Sequence, residues 1–440
     1  MTPYPNQKTK SITEELRVDR NQQIPLKDQQ QFPTLLECNG NTHCLKTTST
    51  DVMCPSFQVT HDIKQSPKGR SDLLREWLIQ GKQNTPLEND IFKALETCLS
   101  CKACVTQCPV NINIPTYKSY FLNPYYKTRS RPLKEWIIGY LEHLIPILGI
   151  TPKLSNQFLQ IPVIKWLINT FGITNIPHFI TPSISSELKQ YPIPTYSNNN
   201  AELNTLENPI IIIQDIFTRY FRPSLLIDFC KIAKTIGFDP VLFPLMPTGK
   251  GFHIKGFKTK FQATAEKFSQ RLNIFNNQNM PIVCLEPSIG LLLREEYTHL
   301  INQHTLKIEL PQEWLLKNLP KKIKKQEKKD YILLGHCQES TANKELNTKW
   351  KKLFKKLQLN LEIAPISCCG MAGVFGHEIN TASLSKKIYD QSWLPLLNNK
   401  KKNTRFLTTG FSCMHQIQLN SNKSTKHPIN IIKDALRASI

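Results

Sequence analysis

Short apolar runs alternate with longer amphipathic segments over the second half of the chain. The apolar runs predict strands that begin near residues 209, 240, 282, 331, 361 and 405. The amphipathic segments between them predict helices over about 223–236, 259–275, 346–357 and 383–393. Such alternation is typical of parallel sheets with helices packed against them. Because the order occurs twice, we predict two repeated α/β units with parallel strands, at 209–305 and 330–440.

The first half of the chain has a helical pattern instead. Apolar residues recur at helical spacing over 66–78 and 90–97, and these segments predict two helices. The fold class is therefore α+β and multidomain. The other predicted segments are a flexible leader at 1–33, a helical domain at 34–125, a helical connector and linker at 126–208, and a basic linker at 306–329.

Two apolar segments of the connector, 136–145 and 163–171, also predict helices. Neither reaches the roughly 20 apolar residues that span a bilayer, and Glu142, His143 and Lys165 interrupt them. We therefore expect these helices to pack against the protein, with an interfacial membrane helix as the alternative.

The candidate chemistry lies in the cysteines, 13 in all, which are clustered rather than scattered. Cys98, Cys101, Cys104 and Cys108 follow the spacing C-x2-C-x2-C-x3-C, and Pro109 comes directly after the last of them. This is the iron–sulfur run of bacterial ferredoxins, in which a tight loop presents three thiolates to one cluster and the fourth cysteine points to a neighbouring cluster. A zinc knuckle is the alternative.

A second, degenerate motif precedes this run. Cys38 and Cys44 are six residues apart, as are the first and third cysteines of the run, and Asn41 occupies the middle position. Cys54 arrives later than the usual spacing, but Pro55 follows it, which indicates an insertion in the loop. Two motifs separated by helices are typical of an alpha-helical ferredoxin module rather than of a small β-hairpin ferredoxin.

Exchange of the fourth cysteines between the two motifs would complete one cluster and leave the other short of a thiolate. The complete 4Fe-4S set comprises Cys54, Cys98, Cys101 and Cys104, and the incomplete set comprises Cys38, Cys44 and Cys108. The alternatives for the second site are a three-iron cluster, a cube with Asn41, His43 or water as fourth ligand, or no cluster.

A third group of cysteines falls at strand ends in the second α/β unit. Its members are Cys337, Cys368, Cys369 and Cys413. Because the carboxyl ends of parallel strands meet at one edge of a sheet, we expect these thiols to converge. They predict either a metal site, which His336 or His377 would complete, or a structural cluster of thiols around a Gly-rich turn.

The first α/β unit lacks these cysteines. Residues 247–250, Pro-Thr-Gly-Lys, occupy the position of the double cysteine, and residues 286–288, Glu-Pro-Ser, occupy that of the last one. Cys230 and Cys284 lie in apolar surroundings, and we expect them to be inert core residues.

The formal net charge of +22 raises the question of nucleic acid. The lysines, however, fall in runs such as 321–329 and 400–402, with few aromatic residues among them that could stack on bases. They predict a solvated surface, with docking to an acidic partner or a membrane surface as the alternative, and no nucleic acid is expected. The N-terminal residues show no secretory signal, and clustered cysteines suit a reducing compartment. We expect a cytoplasmic protein, or a peripheral one at the inner face of the membrane.

The two cysteine motifs, together with residues 368–378, Cys-Cys-Gly-Met-Ala-Gly-Val-Phe-Gly-His-Glu, resemble one family. It is the iron–sulfur half of FAD-linked 2-hydroxyacid oxidoreductases, especially the D-2-hydroxyglutarate dehydrogenase-like fusion flavoproteins. The chain is also similar to the iron–sulfur subunits of glycolate oxidase and anaerobic glycerol-3-phosphate dehydrogenase, and to the cysteine-rich subunit of heterodisulfide reductase. The resemblance implies that the two α/β units are cysteine-rich (CCG-type) repeats.

This sequence departs from the family pattern in two places. The family's C-terminal domain ends in Cys-x-x-Cys, whereas residues 413–416 read Cys-Met-His-Gln, and the first unit lacks all of these cysteines. Both departures count against a noncubane cluster of the heterodisulfide reductase type.

The resemblance also implies a division of labour, because fusion members carry an FAD-binding half that this sequence lacks. The glycines at 370, 373 and 376 match a dinucleotide fingerprint only loosely. We therefore expect an iron–sulfur electron-transfer subunit that receives electrons from an FAD-binding oxidase subunit and passes them to a membrane quinone or another acceptor. The alternative is a catalytic cysteine-rich protein of the heterodisulfide reductase type.

Overall fold

A computed structural model of the chain describes most of its residues. They are 17–47, 53–82, 86–197, 203, 205–298, 306–320, 329–343, 345–398, 404–421 and 423–437. Residues 321–328 and 400–402, which carry the lysine runs, and residues 1–16 of the predicted leader lie outside the described residues.

The described residues before 198 are built from helices. These are α1 (Arg17–Gln22), α2 (Leu26–Gln31), α3 (Pro33–Leu36), α4 (Pro55–Thr60), α5 (Pro67–Ile79), α6 (Pro86–Glu96), α7 (Ala103–Thr106), α8 (Ile114–Tyr125), α9 (Leu133–Gly139), α10 (Leu141–Leu148), α11 (Pro152–Gln160), α12 (Pro162–Thr170) and α13 (Ile184–Gln190). Helix α5 shows how the sequence sets a helix start: Pro67 stands in its first turn, and the Ser66 hydroxyl accepts a hydrogen bond from the Gly69 amide at 3.0 Å.

The core of this helical part includes residues of the predicted leader. Trp77 and Phe121 are buried at its centre, and their rings meet edge to face at 5.1 Å. Ile24 and Phe32 are also buried there, so residues 17–33 pack as short helices instead of forming a flexible leader. The segment is polar overall, but its few large apolar side chains are enough to anchor it in this core.

From residue 209 onward, strands and helices alternate. The strands are β1 (Pro209–Ile213), β2 (Asp239–Leu242), β3 (Ile282–Cys284), β4 (Ile308–Glu309), β5 (Asp330–Leu334), β6 (Asn360–Ile363) and β7 (Arg405–Thr408). The helices are α14 (Ile216–Phe221), α15 (Pro223–Thr235), α16 (Lys250–Ile254), α17 (Lys258–Asn277), α18 (Pro287–Leu291), α19 (Pro311–Asn318), α20 (Cys337–Ala342), α21 (Glu345–Lys356), α22 (Ile379–Ser392), α23 (Leu394–Asn398), α24 (Phe411–Asn420) and α25 (Pro428–Arg437).

The strands form two parallel sheets, as the alternating pattern predicts. One has the order β2-β1-β3-β4 and the other β6-β5-β7. The inner strands β1 and β3 of the first sheet are wholly apolar and almost fully buried, as expected of parallel strands covered on both faces. The predicted basic linker at 306–329 differs from the expectation, since β4 and α19 lie within it. Trp314 of α19 is 1% exposed, and this burial fixes the segment against the first sheet.

The helical part is docked on both α/β units through the loop that carries the ferredoxin-type run. Thr341 of α20 donates a hydrogen bond to the Cys101 carbonyl at 3.0 Å. On the other side, the Lys102 ammonium lies 2.5 Å from Glu295 and 2.7 Å from Glu296 of the first unit. Leu99 packs in an apolar cluster with Cys337 of the second unit. The cysteine loop is therefore held between the two units.

A buried lysine joins the connector to the two units. The Lys255 ammonium donates to Glu135 of α9 at 3.0 Å and to Glu378, at the start of α22, at 2.8 Å. All three side chains are less than one-tenth exposed. Burial acts to lower the pKa of Lys255, but the two carboxylates outweigh it and raise the pKa.

Replacing Lys255 by methionine is expected to lower the free energy of unfolding by about 3 kcal/mol or more, because Glu135 loses its buried partner and Glu378 keeps only the more distant Lys134, at 3.5 Å. The midpoint of urea unfolding, followed by circular dichroism, measures this loss. Lys386→Met is the matched control, since its ion pair with Asp390 is on the surface and should contribute little. Equal midpoints for the two variants would contradict the prediction.

The connector helices follow the expectation only in part. Helix α10 packs through Ile145, and its buried Glu142 accepts hydrogen bonds from the Thr248 and Gly249 amides at 3.0 and 2.8 Å. Helix α12, by contrast, has no buried residue. For α12 the packing expectation is therefore wrong. No helix among the described residues is long and apolar enough to cross a membrane.

Candidate iron–sulfur site

The loops that carry the cysteines have a strained backbone. Cys54, Ser100, Lys102 and Asn111 have φ angles of 47°, 54°, 63° and 51°. This left-handed region costs an L-residue about 1 kcal/mol or more. Several such residues in two short loops indicate that another interaction holds these loops in place.

Four predicted ligands line one cavity. It has an empty volume of about 300 Å³, and its walls include Cys54, Cys98, Cys101 and Cys104. The structure therefore brings the three cysteines of the run together with Cys54 from the degenerate motif, as the exchange of fourth cysteines predicts. A cavity walled by four thiols fits a 4Fe-4S cluster in both donor type and donor number.

Arg70 of α5 also faces this cavity. Its Nη1 donates to Cys54 Sγ at 3.5 Å, and its other nitrogens donate to Ser56, Thr97 and the Ala94 carbonyl at 2.8 to 3.0 Å. Burial acts to lower the pKa of Arg70, but the charges of the cysteine thiolates raise it. A fixed positive charge therefore stands against the four thiols.

Replacing Arg70 by methionine is expected to lower the reduction potential of the cluster, because the reduced form carries more negative charge and loses a hydrogen-bonding cation. A redox titration followed by EPR measures the shift. Arg70→Lys is the control, since it keeps the charge and should lie between the wild type and the methionine variant. A potential that does not move in the methionine variant would contradict the assigned role.

The cysteines of the second predicted set are neighbours, and Cys54 of the first set is close to them. The charges of Cys38 and Cys108 both act on Cys44, and burial is the largest cause that raises the pKa of Cys44 to about 11. The Asn41 side chain is engaged in its own turn, where it donates to Asn39 and accepts from the His43 amide. The thiols of Cys38, Cys54 and Cys108 thus lie near enough to Cys44 to act on its pKa, and the Asn41 side chain bonds within its own turn.

The cysteines of the second α/β unit converge at the carboxyl end of their sheet. Cys368 Sγ lies 3.9 Å from Cys337 Sγ. Hydrogen bonds from Cys368 and Cys413 lower the pKa of Cys369. The prediction that these four strand-end residues meet is confirmed as a matter of geometry. Among the described residues, in this unit and in the ferredoxin-type loops alike, no group of three or more His, Cys, Asp or Glu side chains is placed to hold a single metal ion.

The first α/β unit fills the corresponding positions with carboxylates. The carboxylate of Glu142 from α10 accepts hydrogen bonds from backbone amides of the loop at 247–249, as described above. Glu286 accepts a hydrogen bond from the Phe411 amide at 3.0 Å and so caps α24 of the second unit. Cys230 and Cys284 are fully buried in the core, as expected.

The two cysteine sites adjoin each other. Cys101 of the run and Cys337 of the second unit are close enough for the charge of Cys337 to raise the pKa of Cys101, although burial is the larger cause. Both residues also line a cleft with an empty volume of about 970 Å³, part of which is open to solvent. The cleft lies between the cysteine loop and the carboxyl ends of both sheets, where ligands of α/β folds bind.

The sequence signalled the cysteines but not the charged residues around them. Arg70, Lys102 and Lys118 are the missed ones, and Lys118 donates to the Cys98 carbonyl at 3.0 Å. Lys102 lies inside the run and could have been noticed there. Arg70 and Lys118 lie on helices whose orientation toward the loop depends on tertiary packing.

Comparison with known proteins agrees with this geometry. Residues 34–112 match the 4Fe-4S dicluster domain family. The chain is 32% identical to a D-2-hydroxyglutarate dehydrogenase of Haemophilus influenzae over 475 aligned positions, which cover 97% of the chain and 46% of the relative. The D-2-hydroxyglutarate dehydrogenases of Escherichia coli and Pseudomonas putida are each 30% identical, with 95% of the chain and 45% of the relative covered. Over nearly all of its length, the chain is therefore similar to one part of these dehydrogenases, and its residues 34–112 match a 4Fe-4S dicluster domain.

The chain spans about half the length of the curated relatives it matches. No solved structure matches it. The 4Fe-4S dicluster match lies within the helical module, and the alignment with the dehydrogenases extends through both α/β units.

Proposed function

We propose that the chain is the iron–sulfur electron-transfer part of an FAD-linked 2-hydroxyacid oxidoreductase. The observation that carries this proposal is the cavity walled by Cys54, Cys98, Cys101 and Cys104. A 4Fe-4S cluster bound there supplies one-electron transfer at a potential set by the surrounding protein. The FAD-binding oxidase subunit that would deliver the electrons is supported by the family relationship, since the relatives are about twice as long as the aligned region.

The ligand assignment follows the exchange of fourth cysteines. The residues that would hold the complete cluster are Cys54, Cys98, Cys101 and Cys104, and those of the incomplete site are Cys38, Cys44 and Cys108. In this proposal Arg70 stabilises the reduced state, and Lys118 and Lys102 fix the cysteine loop through the contacts described above. The two α/β units would be CCG-type repeats, of which the second retains its thiols.

The acceptor would bind in the cleft beside Cys101 and Cys337. The walls of this cleft combine apolar side chains with a few polar groups, as is typical of small-molecule sites. Burial lowers the pKa values of both His253 and His336 to about 4. Both imidazoles are therefore neutral at pH 7 and can donate or accept one hydrogen bond to a quinone or a similar acceptor.

A second candidate function rests on the thiol group of the second unit. The short separation of Cys337 and Cys368 would suit thiol chemistry of the heterodisulfide reductase type. Turnover of a disulfide substrate by the isolated chain would favour this candidate over electron transfer alone.

The first experiment measures iron and acid-labile sulfide on anaerobically purified protein, with EPR before and after dithionite. About four irons and one reduced signal would mean that only the complete set is loaded, and about seven or eight irons would mean that both sites are loaded. Adding D-2-hydroxyglutarate together with an FAD-binding oxidase subunit should then reduce the cluster, whereas the hydroxyacid alone should not. The absence of iron after reconstitution would refute the proposal.

A further inference from the structure

The connector exposes an unusual amount of apolar surface. Fourteen of the eighteen large hydrophobic side chains that are exposed among the described residues lie between 133 and 180. The most exposed include Ile150, Leu154, Val163 and Trp166, at 76%, 63%, 63% and 64%. Contiguous apolar patches are rare on soluble monomers, and larger ones mark interaction sites.

This surface is centred on the hairpin of α11 and α12. The only buried residue of α11 is Ser155, and α12 has none. On α12, Val163, Trp166 and Leu167 are all exposed. A helix that docks on a protein partner usually has one apolar stripe and an opposite polar face, whereas apolar residues here occur on several sides of the helix.

The charges around the hairpin have one sign. No acidic residue occurs between Glu142 and Glu187, while Lys153 and Lys165 lie on the two helices of the hairpin. The whole chain carries a formal net charge of +22. Apolar and aromatic side chains with lysines among them are the composition of elements that bind anionic lipid surfaces.

The length of the helices limits how such a surface could be used. Each helix has nine residues and is therefore about 14 Å long. The hydrocarbon core of a bilayer is about 30 Å thick. The hairpin can enter one leaflet but cannot cross the membrane.

We propose that the α11–α12 hairpin inserts into the interface of an anionic lipid bilayer and holds the protein on it. The exposed apolar side chains would enter the boundary between head groups and acyl chains, and Lys153 and Lys165 would meet the lipid phosphates. The hairpin continues into α10, whose Leu141 lines the cleft beside Cys101. Membrane binding itself follows from the exposed hairpin. The further consequence, that the electron acceptor is lipid-soluble, rests on the proposed function, because it requires that the acceptor bind in the cleft.

Vesicle flotation of the full chain with its cluster loaded tests the proposal. Vesicles of phosphatidylcholine mixed with phosphatidylglycerol should carry the protein, vesicles of phosphatidylcholine alone should carry less, and added salt should weaken the binding. The double variant Val163→Glu and Trp166→Glu should bind the mixed vesicles about tenfold more weakly or worse. Leu26→Glu, at an exposed leucine outside the connector, is the matched control and should bind like the wild type.

Two results would overturn the proposal. One is that the wild type does not bind the mixed vesicles. If the double variant then fails to dimerise, or fails to bind an FAD-binding subunit, the apolar surface serves that protein contact instead. The other is that the double variant binds as well as the wild type. The absorption and EPR spectra of the cluster, recorded on every variant, keep this test separate from the proposed function, because they do not depend on lipid.

Discussion

Replacing Cys101 by serine is expected to remove the complete cluster and with it about four irons per chain. Cys101 is one of the four cysteines that wall the 300 Å³ cavity, and it belongs to the loop held between the two α/β units. A serine hydroxyl is a much poorer iron ligand than a thiolate at neutral pH. Iron analysis and the visible spectrum of the anaerobic protein measure the loss.

The control for this variant is Cys230→Ala. Cys230 is as fully buried as any residue of the core but lies in the first α/β unit among apolar side chains. It should keep its full iron content even if the protein becomes less stable. An unchanged cluster spectrum in Cys101→Ser, with the chain folded, would show that this cysteine is not a ligand.

Removing the iron is expected to unfold the helical module while the α/β units stay folded. Positive φ angles occur in its loops at Thr42, Cys54, Ser100, Lys102 and Asn111. Asparagine adopts this region more readily, but the other four cost about 1 kcal/mol or more each, or on the order of 4 kcal/mol together, which approaches the stability of a whole domain. Metal–thiolate bonds offset such costs in small metal-binding domains.

Amide hydrogen exchange before and after anaerobic chelation measures this effect. Amides of α5 and α8 should lose most of their protection, whereas those of β1 and β5 should change little. The sheets pack in apolar cores that are separate from the core of the helical module. Full protection of α5 and α8 in the iron-free protein would show that the buried Trp77 and Phe121 alone hold the module together.

The strands and most helices could be predicted because their patterns are local. A run such as Ile210–Ile213 is buried on both faces of a parallel sheet, and few other structures can accommodate it. The cysteine spacings were equally informative, since a tight loop around a cluster requires them. The convergence of Cys337 and Cys368 followed from the topology of a parallel sheet.

The features that sequence reasoning missed depend on how elements meet in space. Trp314 and the leucines near it make residues 306–320 part of the core, whereas the lysine run that follows led to the linker prediction. Arg70 reaches the cysteines only because α5 and the loop after α6 lie side by side. For helix α12 the apolar pattern predicted packing within the chain, but the helix has no buried residue. An apolar pattern alone does not tell whether a helix packs on its own chain or binds something else.

Glu142 has a consequence for engineering. Its carboxylate accepts hydrogen bonds from the Thr248 and Gly249 amides, in the loop where the second unit has its double cysteine. Cysteines introduced into this loop would not by themselves create a metal site, since an acid from another helix already occupies the position. Removing that acid would break these hydrogen bonds between α10 and the first unit and leave α10 held there by its apolar contacts, such as those of Ile145. In the first unit these amides bind a carboxylate, so Glu142 would compete with any ligand placed at this loop.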